Sequence, residues 1–507
     1  MLQHIKYLKI KTIAIITLVS LFNVSCDSIL DEQPISEIGS QNFWKNNIDA
    51  ESGVVAIYDA MQTTYSRNHF LWGEFRTDNY KAGSSGASIN NLELVRQNIT
   101  PGNASLRWHS LYSLINRANQ AIKYIPTIIG YKKSLLAEAH ALRAYAYFDA
   151  IRVWGSVPLY TEPTESVVDL LRPRTSGTTI LNEVIIPDML KAAELMDTPS
   201  NNFRFSKASI LCLQADVYMW THEFDKAKKA IDDMIKLGDH SLVTTVQAWE
   251  DLFYNTPQGP ATPDARGKVQ KGSELILSIN YDLVDDQRSG VFGLFFAGIP
   301  SFYVSDTLEA KWVDKFPIDK VGWETKYPGV APAVTLSTGP VYGDWRYFLS
   351  RSGGYDNTLV GTAQVAKFTK LNFNPSLDDT DIVLYRYAGM ILLLAEAENQ
   401  LGNTNRSLQL VNQLRTARKL PQVTLAEFGT SIDERENYIL DERQLELLGE
   451  GKRWWDLRRT NKAIQILNPI YQITGTASQL TENSLLFPVY FEHLIENPNL
   501  LPQNAGY

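Results

Sequence analysis

Cysteine is almost missing from this chain. Only Cys26 and Cys212 occur among 507 residues, so at most one disulfide can form. Long apolar runs are missing as well. After residue 26 no stretch reaches the 18 or so uncharged apolar residues of a membrane-spanning helix. IIPDML and MILLLAEAE read as core segments. Basic charge is in deficit, with 48 Lys and Arg against 56 Asp and Glu, a net charge of −8. That balance argues against nucleic acid or an anionic membrane surface as the main partner. The seven histidines are scattered, and none makes HExxH or another close metal spacing. GxSxG, a P-loop and GxGxxG are all absent. Asp282, Asp285 and Asp286 before Gly290 have the composition of a calcium loop without its spacing. The chain is therefore predicted to hold no metal and no cofactor.

What is present begins with an export signal. Lys6, Lys9 and Lys11 precede the apolar run Thr12 to Phe22, 11 residues long. That length suits a secretory leader. Small Ser25 precedes Cys26, which reads as the lipidated first residue of a bacterial lipoprotein. Asn23 stands where such signals usually carry Leu, so an ordinary cleaved leader with an incidental cysteine is the alternative. Acidic Asp27, Asp31 and Glu32 then make a polar tether. Several acyl chains on Cys26, each buried methylene contributing about 0.8 kcal/mol, would hold the protein on a membrane. With Cys26 acylated no disulfide remains, and Cys212 reads as a buried small apolar residue.

The rest is a globular composition, 44% hydrophobic and 21% charged. SLLAEAHALRAYAYFDAIRVWG puts Leu135, Ala139, Leu142, Ala146 and Val153 on one helical stripe. Tyr145, Phe148 and Ile151 lie off that stripe, which predicts a helix buried on most sides. Gly155 and Pro158 end it. Ala215, Tyr218, Ala227 and Ile231 fall at the small, aromatic, small and large positions of a tetratricopeptide-type hairpin. Ala395, Ser407 and Val411 repeat the pattern, with Gly402 and Asn403 as the turn. Residues 240 to 380 instead are rich in Pro and Gly, with ELILSINYD as a short strand. Residues 66 to 107 form a similar insertion with a Gly83 to Gly86 tip. Loops of this kind on a rigid scaffold are where binding residues sit.

Near the C-terminus, DERQLELLGEGKRWWDLRRT gathers Glu442, Arg443, Glu446, Glu450, Arg453, Asp456 and Arg459. A catalytic acid cluster is one reading. The i,i+4 spacing of Glu442 and Glu446, and the i,i+3 spacing of Arg443 and Glu446, favour a structural ion-pair network. In that reading Glu446→Ala costs about 1–3 kcal/mol.

This run closely resembles the ER-x-x-EL-x-x-EG-x-RWxDL-x-R motif of the SusD/RagB family of outer-membrane nutrient-binding lipoproteins. Other segments are similar to the family in the same order. They are Trp108, Tyr112, Ile115 and Asn119; then Glu138, Leu142, Arg143, Tyr147, Phe148, Gly155, Val157 and Pro158. Asp344-Trp345-Arg346, Arg386-Tyr387-Ala388 and Ala395-Glu396-Ala397 follow, and finally the NPNLLPQNAGY close. Gly389 stands where the family usually has an acid, and Val489-Tyr490 and Leu501-Pro502 also depart. The resemblance implies a mainly α fold, in which tetratricopeptide-like helix pairs form a scaffold and a loop-rich ligand-binding half contains short strands. Residues 1–25 would be the leader and 26–507 one domain. Its helical scaffold would lie mainly in 48–65, 108–237 and 382–460, with loop-rich insertions at about 66–107 and 240–380. It also implies an outer-membrane, surface-exposed, lipid-anchored protein that captures oligosaccharide for a SusC-like TonB-dependent transporter, without catalysis.

Aromatic residues are plentiful, with 11 Trp, 24 Tyr and 20 Phe, and sugar rings stack on such faces. The predicted ligand contacts are Trp72, Asp78, Asn79 and Tyr80 in the first insertion. Phe302, Tyr303, Trp312, Trp323 and Tyr327 are their counterparts in the second. Loop packing is the competing role for each. Trp108, Trp154, Trp454 and Trp455 belong to scaffold motifs and are predicted to be core. Peptide capture by the same architecture and glycoside hydrolysis by two facing carboxylates are the alternative functions.

Overall fold

The computed structural model describes residues 43–84, 86–164, 170–253, 270–282, 287–295, 298–368 and 378–507. Cys26, Asp285 and Asp286 lie outside that set.

Helices build the scaffold, and those beginning at Asn47, Lys207 and Ile432 start at side-chain caps. α1 spans Asn47–Gly73, α2 His109–Tyr124, α3 Lys133–Trp154 and α4 Ile186–Leu195. α5 spans Lys207–Trp220, α6 Phe224–Lys236, α7 Tyr387–Gln400 and α8 Thr404–Ala417. α9 spans Ile432–Glu446, α10 Arg453–Arg459 and α11 Phe491–Glu496. Asn46 caps α1, and Asp49 returns to the Asn46 backbone N–H, a reciprocal pair that satisfies the helix's orphan donors. Ser431 and Glu434 do the same for α9. α1 runs on to Gly73 rather than stopping near 65, because its polar middle still buries Tyr65, Phe70 and Trp72.

Consecutive helices pack as hairpins: α2 lies on both α1 and α3, α5 on α6, and α7 on α8. Ala215 and Ala227 have no exposed surface, so α5 and α6 approach closely. In the second hairpin the Ser407 hydroxyl donates to Ala395 O at 2.6 Å. The two positions that the repeat pattern singles out therefore touch. Gly402, at φ +80°, makes the turn in a left-handed conformation that a β-carbon would strain. α3 is buried along nearly its whole length, and Cys212 is buried on α5.

Among the described residues the strands are short and pair antiparallel. β1 (Tyr80–Ala82) pairs with β5 (Phe302–Val304), β2 (Val157–Pro158) with β3 (Arg174–Thr175), β4 (Leu275–Ile279) with β8 (Ile382–Arg386), and β6 (Val334–Leu336) with β7 (Gly339–Val341). The structure is mostly helical, as the sequence implied.

A buried charge cluster fastens the loop-rich half to α9. Glu446 is fully buried and accepts from Arg346 Nη1 at 2.5 Å, Arg386 Nη1 at 2.7 Å and Arg418 Nη2 at 2.7 Å. Glu274, just before β4, binds Arg386 and Arg418. Asp344 and Glu442 hold Arg346, while Glu450 holds Arg386 and Lys367. Burial would raise the Glu446 carboxyl's pKa; the three guanidiniums outweigh it and hold it well below the usual carboxylate range. Glu446 is therefore ionised and charge-paired. One pairing differs from the sequence reading. Arg443 turns away from Glu446 and grips Asp456 through Nε at 2.8 Å and Nη2 at 2.9 Å. Glu446 points into the cluster instead, where arginines from outside its own helix reach it.

Candidate ligand-binding site

Seven of the nine predicted contact residues are buried: Trp72, Asp78, Asn79, Tyr80, Phe302, Trp312 and Trp323. Each has a partner inside the protein, and of the seven Asp78 and Tyr80 also line the hollow beside Lys81 and Asp306. The three indole N–H groups donate to Ser105 O at 2.9 Å, Asp344 Oδ2 at 2.9 Å and Val330 O at 2.8 Å, from Trp72, Trp312 and Trp323 in turn. Phe302 stacks on Phe75 with ring centroids 3.6 Å apart. Asp78 takes both arms of Arg453 at 2.9 Å. Burial would push its pKa up; Arg453 and Lys311 override that and hold it at about 2. Asn79 donates to Glu74 at 2.7 Å and accepts from Gln444 at 2.8 Å, and Tyr80 donates to the same Glu74 oxygen at 3.3 Å. These residues lock the first insertion onto α9 and α10.

Tyr303 and Tyr327 keep part of their rings in solvent. The Tyr327 hydroxyl donates to Lys315 O at 2.6 Å, and burial raises its pKa to about 12. No described residue bonds the Tyr303 hydroxyl. Register explains why Tyr303 is open. Side chains alternate across a strand, and β1 pairs Lys81 with Tyr303. Tyr80, Phe302 and Val304 take the buried face, so Lys81 and Tyr303 share the outer one.

That outer face is a meeting point of loops. Gly83 N donates to Ser301 O and Ser84 N to Pro300 O, closing the β1–β5 ribbon. Asp306 follows β5 and accepts from Lys81 Nζ through both oxygens at 2.8 Å. Gly361, at φ +75°, brings a third loop so near that a β-carbon there would lie 3.2 Å from Asp306 Oδ1. Ile299, Leu359 and Val360 stand exposed around this pair. A hollow of about 250 Å³ adjoins it, lined by Lys81, Asp306, Thr307 and Tyr471 among others, with Thr474 and Thr476 at its rim. The face combines one open aromatic ring, an ion pair, hydroxyls and apolar edges. Such a mixture meets both the hydroxyls and the C–H faces of a sugar. The sequence analysis did not single out Lys81 or Asp306. Their signal lies only in a strand register that no three-residue segment reveals.

A larger cleft, about 700 Å³, opens at the start of α2 beside α11. Trp108, Tyr112 and Tyr160 are among its walls. Trp108 is indeed mostly buried, but it also backs this cleft, which the motif reading did not suggest. One ligand atom from each of His109, His493 and Glu496 lies within 4.8 Å of the others.

Among the described residues no helix is long and apolar enough to cross a membrane. The fold is a helical-repeat scaffold that carries a loop-rich half. The profile described as "SusD family" matches residues 350–507, and "Starch-binding associating with outer membrane" matches residues 29–219. A SusD-like protein of Formosa agariphila is 42% identical over 499 residues, spanning 95% of this chain and 96% of its own length. The chain belongs to the SusD family. Among solved structures, a SusD superfamily protein of Bacteroides vulgatus superposes with a TM-score of 0.71 at 16% identity, covering 92% of this chain and 100% of that one. A laminarin-binding SusD-like protein does so with a TM-score of 0.67 at 21% identity, again covering 92% and 100%. These two share the fold.

Proposed function

We propose that this protein captures oligosaccharide at the cell surface without cleaving it and passes it to a SusC-like TonB-dependent transporter. Lipid on Cys26 anchors it to the outer membrane. Family membership supports the role, and so does the laminarin-binding description of one structural neighbour. The observation that carries the reading is the outer face of the β1–β5 ribbon. There Tyr303 offers an aromatic ring and an unpartnered hydroxyl beside the Lys81–Asp306 pair. Tyr327 is a further contact on the same loop-rich half. Non-catalysis is supported by the state of the acids. A glycosidase needs one protonated and one ionised carboxyl roughly 5–9.5 Å apart. Asp306 is bound by Lys81 through both oxygens, Glu309 by Arg351 at 2.6 Å, and Glu442 and Glu446 by arginines.

Calorimetric titration of a glycan panel, with product analysis, tests this. One glycan should bind without products appearing. Tyr303→Ala should weaken it by about 0.5–1.5 kcal/mol, the range of a single aromatic contact. Cleavage by the pure protein, or binding of peptides with no glycan bound, overturns the reading.

A further inference from the structure

The cleft between α2 and α11 has no part in the ribbon-face site. It belongs to the helical half, and its size is within the range of pockets that enclose small ligands, roughly 300–1,000 Å³. Its aromatic walls are rigid. The Tyr112 hydroxyl donates to Pro158 O at 2.7 Å and the Tyr160 hydroxyl to Leu170 O at 2.7 Å, so each ring is pinned at its far end. The two rings meet edge to face, 5.7 Å apart at 83°, and the Arg172 guanidinium lies over the Tyr160 ring, 4.9 Å from its centroid.

The cleft also holds unspent polar capacity. The Asn116 oxygen accepts from Thr164 N at 2.9 Å, yet no described group accepts from the Asn116 amide N–H. The Thr164 hydroxyl has no described partner either. Both line the cleft. Glu496 is 59% exposed, and only its Oε2 faces the imidazoles of His109 and His493, at 3.5 Å each. Donor, hydroxyl and acceptor thus share the cleft with aromatic carbon.

The two imidazoles and Glu496 also invite a metal ion, and the hydrogen bonds argue against it. Trp108 N donates to His493 Nε2 at 3.2 Å, so Nε2 must carry the lone pair and the ring proton must sit on Nδ1. Nδ1 is the atom facing Glu496, and a metal needs that atom deprotonated. Metal-bound imidazoles normally donate through their other nitrogen; here that nitrogen accepts. Nδ1–H instead orients Glu496 as an acceptor for the cleft.

We infer that this cleft is a second carbohydrate site, taking one or two neutral pyranose units with a C–H face on Tyr112 and their hydroxyls on Asn116, Thr164 and Glu496. The inference stands apart from the ribbon-face reading. A glycan long enough to touch both sites would gain avidity without a new contact.

Hydrogen exchange on the full chain, with saturating hexaoses of glucose, xylose or mannose as probes, tests it. At least one hexaose should slow exchange in peptides covering 109–120 and 491–500, and should do so in Tyr303→Ala as well. Thr164→Val removes only an unpartnered hydroxyl. It should leave the melting temperature unchanged and weaken that protection about two- to tenfold, the effect of one hydrogen bond. No protection of these peptides by any hexaose overturns the proposal, whether or not residues 80–82 and 302–304 respond. Protection by zinc alone, with none by sugar, overturns it in favour of a metal site.

Discussion

Replacing Glu446 with alanine should unfold this protein sooner rather than silence it. The carboxylate has no solvent exposure and accepts from three arginines. Those arginines are not equally dependent on it. Arg346 keeps Asp344 and Glu442, Arg386 keeps Glu274 and Glu450, and Arg418 keeps Glu274. Individual protons are another matter. Arg346 Nη1 and Arg418 Nε bond no acceptor except Glu446. Two charged donors would therefore be orphaned in the interior, each costing about 1–3 kcal/mol. Mutual repulsion of the three guanidiniums adds to this. The expected loss is about 3–5 kcal/mol, the usual result of breaking a buried pair from one side. It exceeds the 1–3 kcal/mol expected from sequence because three cations converge on one acid. Urea unfolding followed by tryptophan fluorescence measures it. Glu194→Ala, which breaks the exposed Lys191–Glu194 pair, serves as control and should change stability by less than about 1 kcal/mol. An unchanged urea midpoint together with lost glycan binding in Glu446→Ala would refute the reasoning and make the cluster a functional site.

Other expectations follow from the same placements. Trp72→Ala should cost about 3–5 kcal/mol as a core cavity, whereas Tyr303→Ala should leave the melting temperature unchanged and reduce glycan affinity; calorimetry of both separates core from contact. Burial, with help from Lys452, lowers the His69 pKa to about 3, and burial with His109 lowers that of His493 to about 4. Unfolded histidine titrates near 6.5, so the unfolded chain takes up protons that the folded one refuses. Stability should be complete above that pH and fall on acidification towards 4, by up to about 1.4 kcal/mol per unit for each histidine. His69→Gln should flatten this slope in urea titrations run at stepped pH. Cys26→Ala should move the protein from the membrane fraction to the soluble one; retention without an acylated N-terminal peptide would count against the anchor.

The scaffold was legible because it is written locally. Ala215, Ala227, Ala395 and Ser407 sit at fixed offsets, and each offset is a contact between neighbouring helices. The acidic cluster was legible as structural because the motif mixes acids with arginines, although the arginines that reach Glu446, namely Arg346, Arg386 and Arg418, all lie outside the motif. The proposed binding face was not legible. Trp72, Trp312 and Trp323 look like loop aromatics in sequence, yet each is buried and donates its indole N–H within the protein. Lys81 and Tyr303 become neighbours only through pairing of two three-residue strands more than 200 positions apart. The α2 cleft was hidden differently. Tyr112 belongs to a scaffold motif, and nothing in its spacing shows that Pro158 ties back its hydroxyl and leaves its ring lining a hollow.

The charge cluster has a consequence for how such a protein can change. Glu274, Arg346, Lys367 and Arg386 are spaced along the loop-rich half, and acids on or just after α9 grip the last three directly, while Glu274 joins through the arginines it shares. Each stretch between two of these residues is held at both ends. Lengthening a flexible stretch costs little once its ends are fixed, about 0.6 kcal/mol for each doubling. Loops can therefore be lengthened, shortened or exchanged between fixed fasteners while the helical body keeps its shape. A new sugar would call for new loops on an old frame.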